Sequence, residues 1–175
     1  FVSFITKNMI FYSKFYVSQL KRSFFIAKNE NGICYIDLND NEKKFLKRLN
    51  DYIEDVTVNK PAELSYEISQ IKEYFAGRRS NFDMKIYLKG TGFQTSVWQA
   101  LAGTDYGETV SYSELAKRAG NKKAFRAAAT CCATNPVPII IPCHRVIAKD
   151  GSIGGFGGGL EMKKFMLEME RKNSG

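Results

Sequence analysis

Cys143 and His144 stand side by side in Pro142-Cys143-His144-Arg145-Val146, and His144 is the single histidine of the chain. A cysteine attacks as its thiolate, so it needs a group that takes the proton. A neighbouring imidazole can do that, and Arg145 with the basic residues around it favours the anion. Adjacent side chains need not point the same way, so the pair by itself leaves a buried structural cysteine open. Pro136, Pro138 and Pro142 make the approach to the pair rigid and non-helical. A base works best when a third group orients it. Glu161, Glu168 and Glu170 are the candidates, and spacing does not choose among them. Residues 151–159 hold six glycines in nine positions, either a linker or a pocket wall of backbone N–H groups. The Gly-Lys-Ser/Thr ending of a phosphate loop is missing there. With one histidine and no C-x-x-C pair, no metal site is expected.

These residues need elements to hold them. The first half reads as a small α/β unit. Short aromatic and β-branched runs at residues 10–17, 23–28 and 32–37 fit three strands joined by hairpins. A short amphipathic helix is expected over 41–50, and a second over 62–76, stopped by Gly77. Residues 83–88 suit one more strand, and nothing in residues 1–80 looks like chemistry. The composition changes near residues 80–92, which suggests a scaffold over 1–82 and a separate unit over 83–175. There a helix is expected over 93–101, with Trp98 in the core. Ser111-Tyr112-Ser113-Glu114 reads as a capping box that starts a helix at Tyr112 and runs to Gly120. Asn121 is placed as the N-cap of the next helix, 122–133, which Asn135-Pro136 ends. Two short helices around a Gly-Asn turn form a helix-turn-helix pattern. A last helix is expected over 160–171.

Charge adds a direction. The 175 residues carry 26 Lys+Arg against 18 Asp+Glu, a formal charge of +8. Between Ser111 and Lys149 lie seven basic residues and a single acid, Glu114. The second helix of the pair is thin and basic, with Ala124, Ala127, Ala128, Ala129 and Ala133 behind Lys122, Lys123 and Arg126. Such a helix can approach a groove closely, although small residues also let helices pack. The cysteines Cys34, Cys131, Cys132 and Cys143 suit reduced thiols in the cytoplasm. No run is long and apolar enough for a spanning helix, and no membrane partner is expected. Residues 1–20 lack a clean signal-peptide pattern, Met9 is a candidate start, and residues 1–8 carry little structural weight.

The stretch from Asn135-Pro136-Val137-Pro138 to Pro142-Cys143-His144-Arg145-Val146 resembles the active-site signature of the O6-alkylguanine-DNA alkyltransferases. The resemblance extends from Gly92-Phe93-Gln94 through Tyr106-Gly107-Glu108 to Gly154-Gly155-Phe156 and the last helix. It implies an α+β fold, with a small antiparallel sheet and helices (ribonuclease H-like) before a mainly helical, winged helix-turn-helix domain. The partner it implies is double-stranded DNA containing O6-alkylguanine, met through the minor groove, about 6 Å wide, by a monomer that flips the base out. Cys143 would then be the alkyl acceptor, used once and without a cofactor. His144 would take its proton through a water, Glu170 would orient His144, and Asn135 would tie the turn to the active-site segment. Arg126 would fill the gap left by the flipped base, and Tyr112 would crowd the next phosphate and donate to the guanine. Lys123, Ala127 and Ala129 fall on the DNA-facing helix. Cys143 and Val146 would offer backbone acceptors, and Gly157 a backbone donor to O6.

Three departures stand out. Phe156 replaces a tyrosine common in the family. Gly157-Gly158-Gly159 suggests a looser pocket wall. Cys132 would lie near the pocket, as an off-path alkylation or oxidation site or as inert packing. Three other functions keep a place. A non-catalytic reader of alkylguanine would lack the acceptor cysteine. A helix-turn-helix regulator would prefer one duplex sequence over lesion DNA. A Cys-His-Glu hydrolase would turn over repeatedly.

Overall fold

The structure is a computed structural model and describes residues 9–174; the readings for residues 1–8 lie outside them. The expected α+β division is present. Strands β1 (Met9–Val17), β2 (Arg22–Asn29) and β3 (Gly32–Asp37) form an antiparallel meander. A fourth strand, β4 (Val56–Asn59), joins the far edge parallel to β1, giving the order β3-β2-β1-β4. Sequence reading misses β4 because four residues carry too little periodicity, and its partner lies more than forty positions away.

Alternation along the strands divides the core. Ile10, Tyr12, Phe25, Ala27 and Cys34 face helix α1 (Glu42–Tyr52), whose Phe45 stacks on Phe25 at 4.7 Å. Phe15, Val17, Phe24, Ile26, Ile33 and Ile36 face the other way. They share one core with helix α2 (Ser65–Phe75), with Trp98 and Leu101, and with the apolar run before Cys143. The chemistry therefore rests directly on the N-terminal sheet.

The strand expected at 83–88 does not form. Ile86 makes a single bridge to Ile33, and the buried Gln70 amide captures both the N–H and the carbonyl of Asp83. Gly32 permits the crossing, since a Cβ there would lie 2.5 Å from the Lys85 carbonyl oxygen.

Helix α3 (Gly92–Ala102) opens on a Thr91/Gln94 capping box and buries Trp98, whose indole donates to the Cys131 carbonyl at 3.0 Å. Strand β5 (Val110–Ser111) runs into α4 (Tyr112–Arg118), and the Ser111 hydroxyl caps the Glu114 N–H. The Glu114 carboxylate turns instead to Arg118, so only half of the expected capping box is made. Helix α5 (Phe125–Ala133) starts three residues later than expected. The Asn121 side chain accepts from the Lys123 N–H and closes a turn of its own, which competes with a helix start. Beyond it, the 3-10 turn Cys143–Arg145 leads into β6 (Val146–Ile147), parallel to β5, and the chain ends in α6 (Leu160–Asn173). Pairing of Val110 with Val146 sets the start of α4, and so Tyr112, beside the Cys143 turn.

Candidate active site

Asn135 holds the segment that delivers the thiol. Its side-chain oxygen accepts from the Val137 N–H at 3.0 Å, and its amide donates to the Ile141 carbonyl at 2.8 Å. Ile139 sits between them at φ 78, a strained value for a β-branched residue. On the 3-10 turn successive side chains point in different directions. Cys143 faces two cavities, while His144 faces the interior.

Behind the thiol lies a buried ionic cluster centred on Glu170. One oxygen, Oε1, accepts from Tyr74 Oη (2.6 Å), His144 Nε2 (2.8 Å) and Arg145 Nη2 (3.0 Å). The other, Oε2, accepts from Arg145 Nε (2.8 Å) and the Gly107 N–H (3.1 Å). The remaining Arg145 arm donates to the Thr104 carbonyl. Burial pushes the Glu170 carboxyl up, but the bonds from His144 and Arg145 outweigh it and hold the group at about 2. Burial drives His144 below its ordinary value. At neutral pH the pair is thus a carboxylate and a neutral imidazole. Nε2 must carry the proton, since the carboxylate only accepts, and Nδ1 is left with a free lone pair and no protein partner. That lone pair can receive a proton.

The thiol is buried and its pKa is raised by desolvation, with Asn135 and the Lys163 cation acting against the rise. Lys163 is wholly buried, and its ammonium donates to the carbonyls of Val146 (2.6 Å) and Gly155 (3.3 Å). Among the described residues it has no carboxylate partner, so a Cys143 thiolate would be its counter-ion. The sequence assigns that part to Arg145, whose guanidinium is instead taken up by Glu170 and Thr104. Lys163 engages one lone pair of the Val146 carbonyl and leaves the other open.

Two cavities meet at Cys143 and share Cys132, Ala133, Phe156 and Gly157 in their walls. The inner, about 220 Å³, lies beneath α4 and α5 and adds Tyr112, Ala129 and Gly155. The outer, about 290 Å³, reaches the turn after β3. Cys132 is therefore in the pocket, with its thiol pushed up to about 12 by burial. The wall is tighter than its glycines suggest. A Cβ on Gly158 would meet Met162, Phe156 and Leu38 at 3.0 Å or less, and Arg22 of β2 holds the Gly158 carbonyl at 2.7 Å.

Of the remaining candidates, Lys123 is exposed in the turn before α5 rather than on the helix, Arg126 and Ala127 are exposed on the outer face of α5, and Ala129 turns toward the inner cavity. Exposed Phe125 joins them, with the Arg126 guanidinium 5.5 Å from its ring centre. Arg118 is paired with Glu108 and Glu114, and Arg145 is buried, so the basic surface is smaller than the count of seven implies. Glu161 and Glu168 are exposed, which resolves the choice of carboxylate among the three.

Tyr74 and Lys163 escape sequence reading, one in a half without other chemistry and one on a helix rich in solvated charge. Tyr74→Phe removes one donor to Glu170 and costs about 1–2 kcal/mol by leaving a buried oxygen less satisfied. The freed carboxylate then stabilises an imidazolium better, so the acid limb of the thiol-reactivity profile moves to higher pH in the variant. Iodoacetamide labelling of Cys143 across pH, beside a urea melt, checks both.

The fold and site define a helix-turn-helix protein that presents a buried cysteine backed by an imidazole–carboxylate pair. Residues 92–172 match the DNA-binding domain of 6-O-methylguanine DNA methyltransferase, and residues 11–88 match its ribonuclease-like domain. The methylated-DNA--protein-cysteine methyltransferase of Methanosarcina mazei is 41% identical over 149 residues, 85% of this chain and 90% of that protein. The corresponding Mycobacterium bovis protein is 43% identical over 114 residues, 65% of this chain and 69% of its own length. A crystal structure of Mycobacterium tuberculosis OGT in complex with DNA superposes with a TM-score of 0.78 at 31% identity, covering 93% of this chain and 94% of that one. The chain belongs to the 6-O-methylguanine DNA methyltransferase family.

Proposed function

We propose that this chain repairs duplex DNA by direct reversal, moving the alkyl group of O6-alkylguanine onto the Cys143 sulfur in one displacement. The observation that carries the reading is the place of that sulfur. It lines a cavity walled by α4 and α5, close to the exposed Arg126 and the Lys122-Lys123 turn before it, with a neutral imidazole held behind it. The damaged guanine leaves the stack through the minor groove and enters between Tyr112 and Phe156, while Arg126 fills the gap. His144 takes the thiol proton at Nδ1 through a water, and Lys163 stabilises the thiolate. Phe156 has no hydroxyl, so the leaving O6 is met by the Gly157 backbone N–H alone, while Tyr112 crowds the next phosphate and donates to the guanine. Residues 83–175 form the DNA-binding and acceptor part, and residues 1–82 the scaffold behind it. The thioether is stable, so each monomer acts once and needs no cofactor. An acceptor that must stay reduced suits the cytoplasm. No helix among the described residues is long and apolar enough to cross a membrane.

Intact-protein mass spectrometry after incubation with a duplex carrying one O6-methylguanine tests this. A gain of one methyl, mapped to Cys143 and saturating at one per chain, is expected. Unchanged mass despite tight lesion binding would overturn the reading.

Arg126→Ala supplies a separate check on the flipping role. Transfer from duplex should slow roughly tenfold, because filling the gap offsets part of the few kcal/mol that unstacking costs. Transfer from the same lesion in a single strand should stay the same. Equal slowing on both would assign Arg126 to general phosphate binding.

A further inference from the structure

Phe125 opens α5 with 46% of its surface exposed, and among the described residues it is the only large apolar side chain exposed on the helix-turn-helix. A single exposed apolar residue is ordinary on a protein surface, so its place decides what it means. Four, seven and eight positions further along the helix stand Ala129, Cys132 and Ala133. That spacing puts all four on one stripe. The last three line the inner cavity beside Cys143, and Phe125 is not in its wall. Helical side chains lean toward the N-terminus, so the ring projects past the rim of the cavity instead of into it. The nearby outward positions Ala127 and Thr130 are small and exposed, and the Arg126 guanidinium lies 5.5 Å from the ring centre. Phe125 is thus the one bulky apolar projection on a face otherwise made of small residues and a cation.

An apolar ring gains nothing from phosphates. Its natural partner on a duplex is the face of a base. One helical turn, about 5.4 Å, separates Phe125 from Ala129 at the cavity wall. Bases in a strand stack about 3.4 Å apart. With a guanine in the inner cavity, the ring therefore reaches the stack within two base steps of the gap.

We propose that Phe125 is a minor-groove wedge. Its ring enters a base step within two positions of the lesion and stacks on the base face it uncovers, while Arg126 fills the gap itself. The proposal rests on the reading of α5 as the DNA-facing helix and of the inner cavity as the pocket for a flipped guanine. No bond is made or broken by the wedge. Parting a base step costs stacking, and burial of the ring against a base offsets that cost. A duplex already kinked and partly unstacked releases its guanine more readily.

The test measures lesion-duplex binding by fluorescence anisotropy at several salt concentrations, in the Cys143→Ala chain so that no methyl group moves. Phe125→Ala, Arg126→Ala and the pair together are each compared with that parent. Phe125 is exposed and alanine is the better helix former, so the variant folds. Phe125→Ala should weaken binding about tenfold, within the range for one lost base–aromatic stack. The slope of log affinity against log salt should stay as it was, because the ring neutralises no phosphate. The same tenfold loss should appear on top of Arg126→Ala. A ring that only steadies the Arg126 guanidinium would add no loss in the double variant, and that result overturns the wedge. A shallower salt slope in Phe125→Ala overturns it as well, since it would make Phe125 a support for phosphate contacts. The crystal structure of the Cys143→Ala chain with the lesion duplex locates the ring. A ring between bases supports the proposal, and a ring against the sugar–phosphate backbone or in solvent overturns it. A parent chain that binds lesion and unmodified duplex equally would instead remove the flipped-guanine reading beneath the proposal.

Discussion

Cys143→Ala is expected to abolish methyl transfer completely while lesion-bearing duplex still binds. The loss should be total because the sulfur is a reactant, and no neighbouring group replaces it. Binding should persist because the residues assigned to it, Tyr112, Lys123, Arg126 and the small face of α5, are unchanged. Intact mass after incubation with O6-methylguanine duplex reads the first outcome, and fluorescence anisotropy reads the second. The sharpest challenge is Cys132, which lines the same two cavities. Its thiol is pushed up to about 12, so few molecules carry the thiolate at neutral pH. A methyl group found on Cys132 in the variant would make it a second acceptor and would remove the claim of total loss.

Glu170→Gln should have the largest effect on stability. Five donors converge on this carboxylate. Glutamine turns one of the two accepting oxygens into a donor and leaves the Arg145 cation buried without its counter-charge. Removing one partner of a buried ion pair costs about 3–5 kcal/mol. Transfer should fall about a hundredfold, the lower range for loss of a positioned base. The pH dependence separates this from general damage. Glu170 lies at about 2 in the folded chain against an ordinary value of 4.5. Its contribution is therefore present in full above 4.5 and is lost as pH falls toward about 2. The variant has no such group to protonate. Urea melts should show the gap between the two proteins narrowing over that interval. A gap that stays constant from pH 7 to pH 2.5 would mean that the carboxylate's charge is not what stabilises the site.

His144 acts in the same direction at higher pH. Its folded value lies below 6.5, so the unfolded chain binds the proton more readily. Stability should already decline as pH falls through 6.5, in the native protein and in Glu170→Gln alike.

Much of this protein was legible locally. Pro142-Cys143-His144-Arg145, the Ser111 cap, the stop at Gly77 and the Asn135 turn are written in neighbouring residues. Caps and turns are closed by hydrogen bonds a few positions long, so residue type and spacing determine them. The resemblance carried by that stretch named the family and its acceptor cysteine. Local signals also misled where backbone groups had other partners: Asn121 closed a turn instead of capping a helix, and Asp83 was captured by Gln70. What only the tertiary structure decided is the company the cysteine keeps. Tyr74 reaches Glu170 across 96 residues, and Lys163 is driven into the interior beside Met162 and Met166. A lysine on a charged helix carries no mark of burial, because burial depends on which surface the helix meets. The outer cavity past Leu38 has the same origin. It exists only because the core of the N-terminal sheet and the core of the acceptor half are one, and apolar burial of that kind is non-directional and non-local.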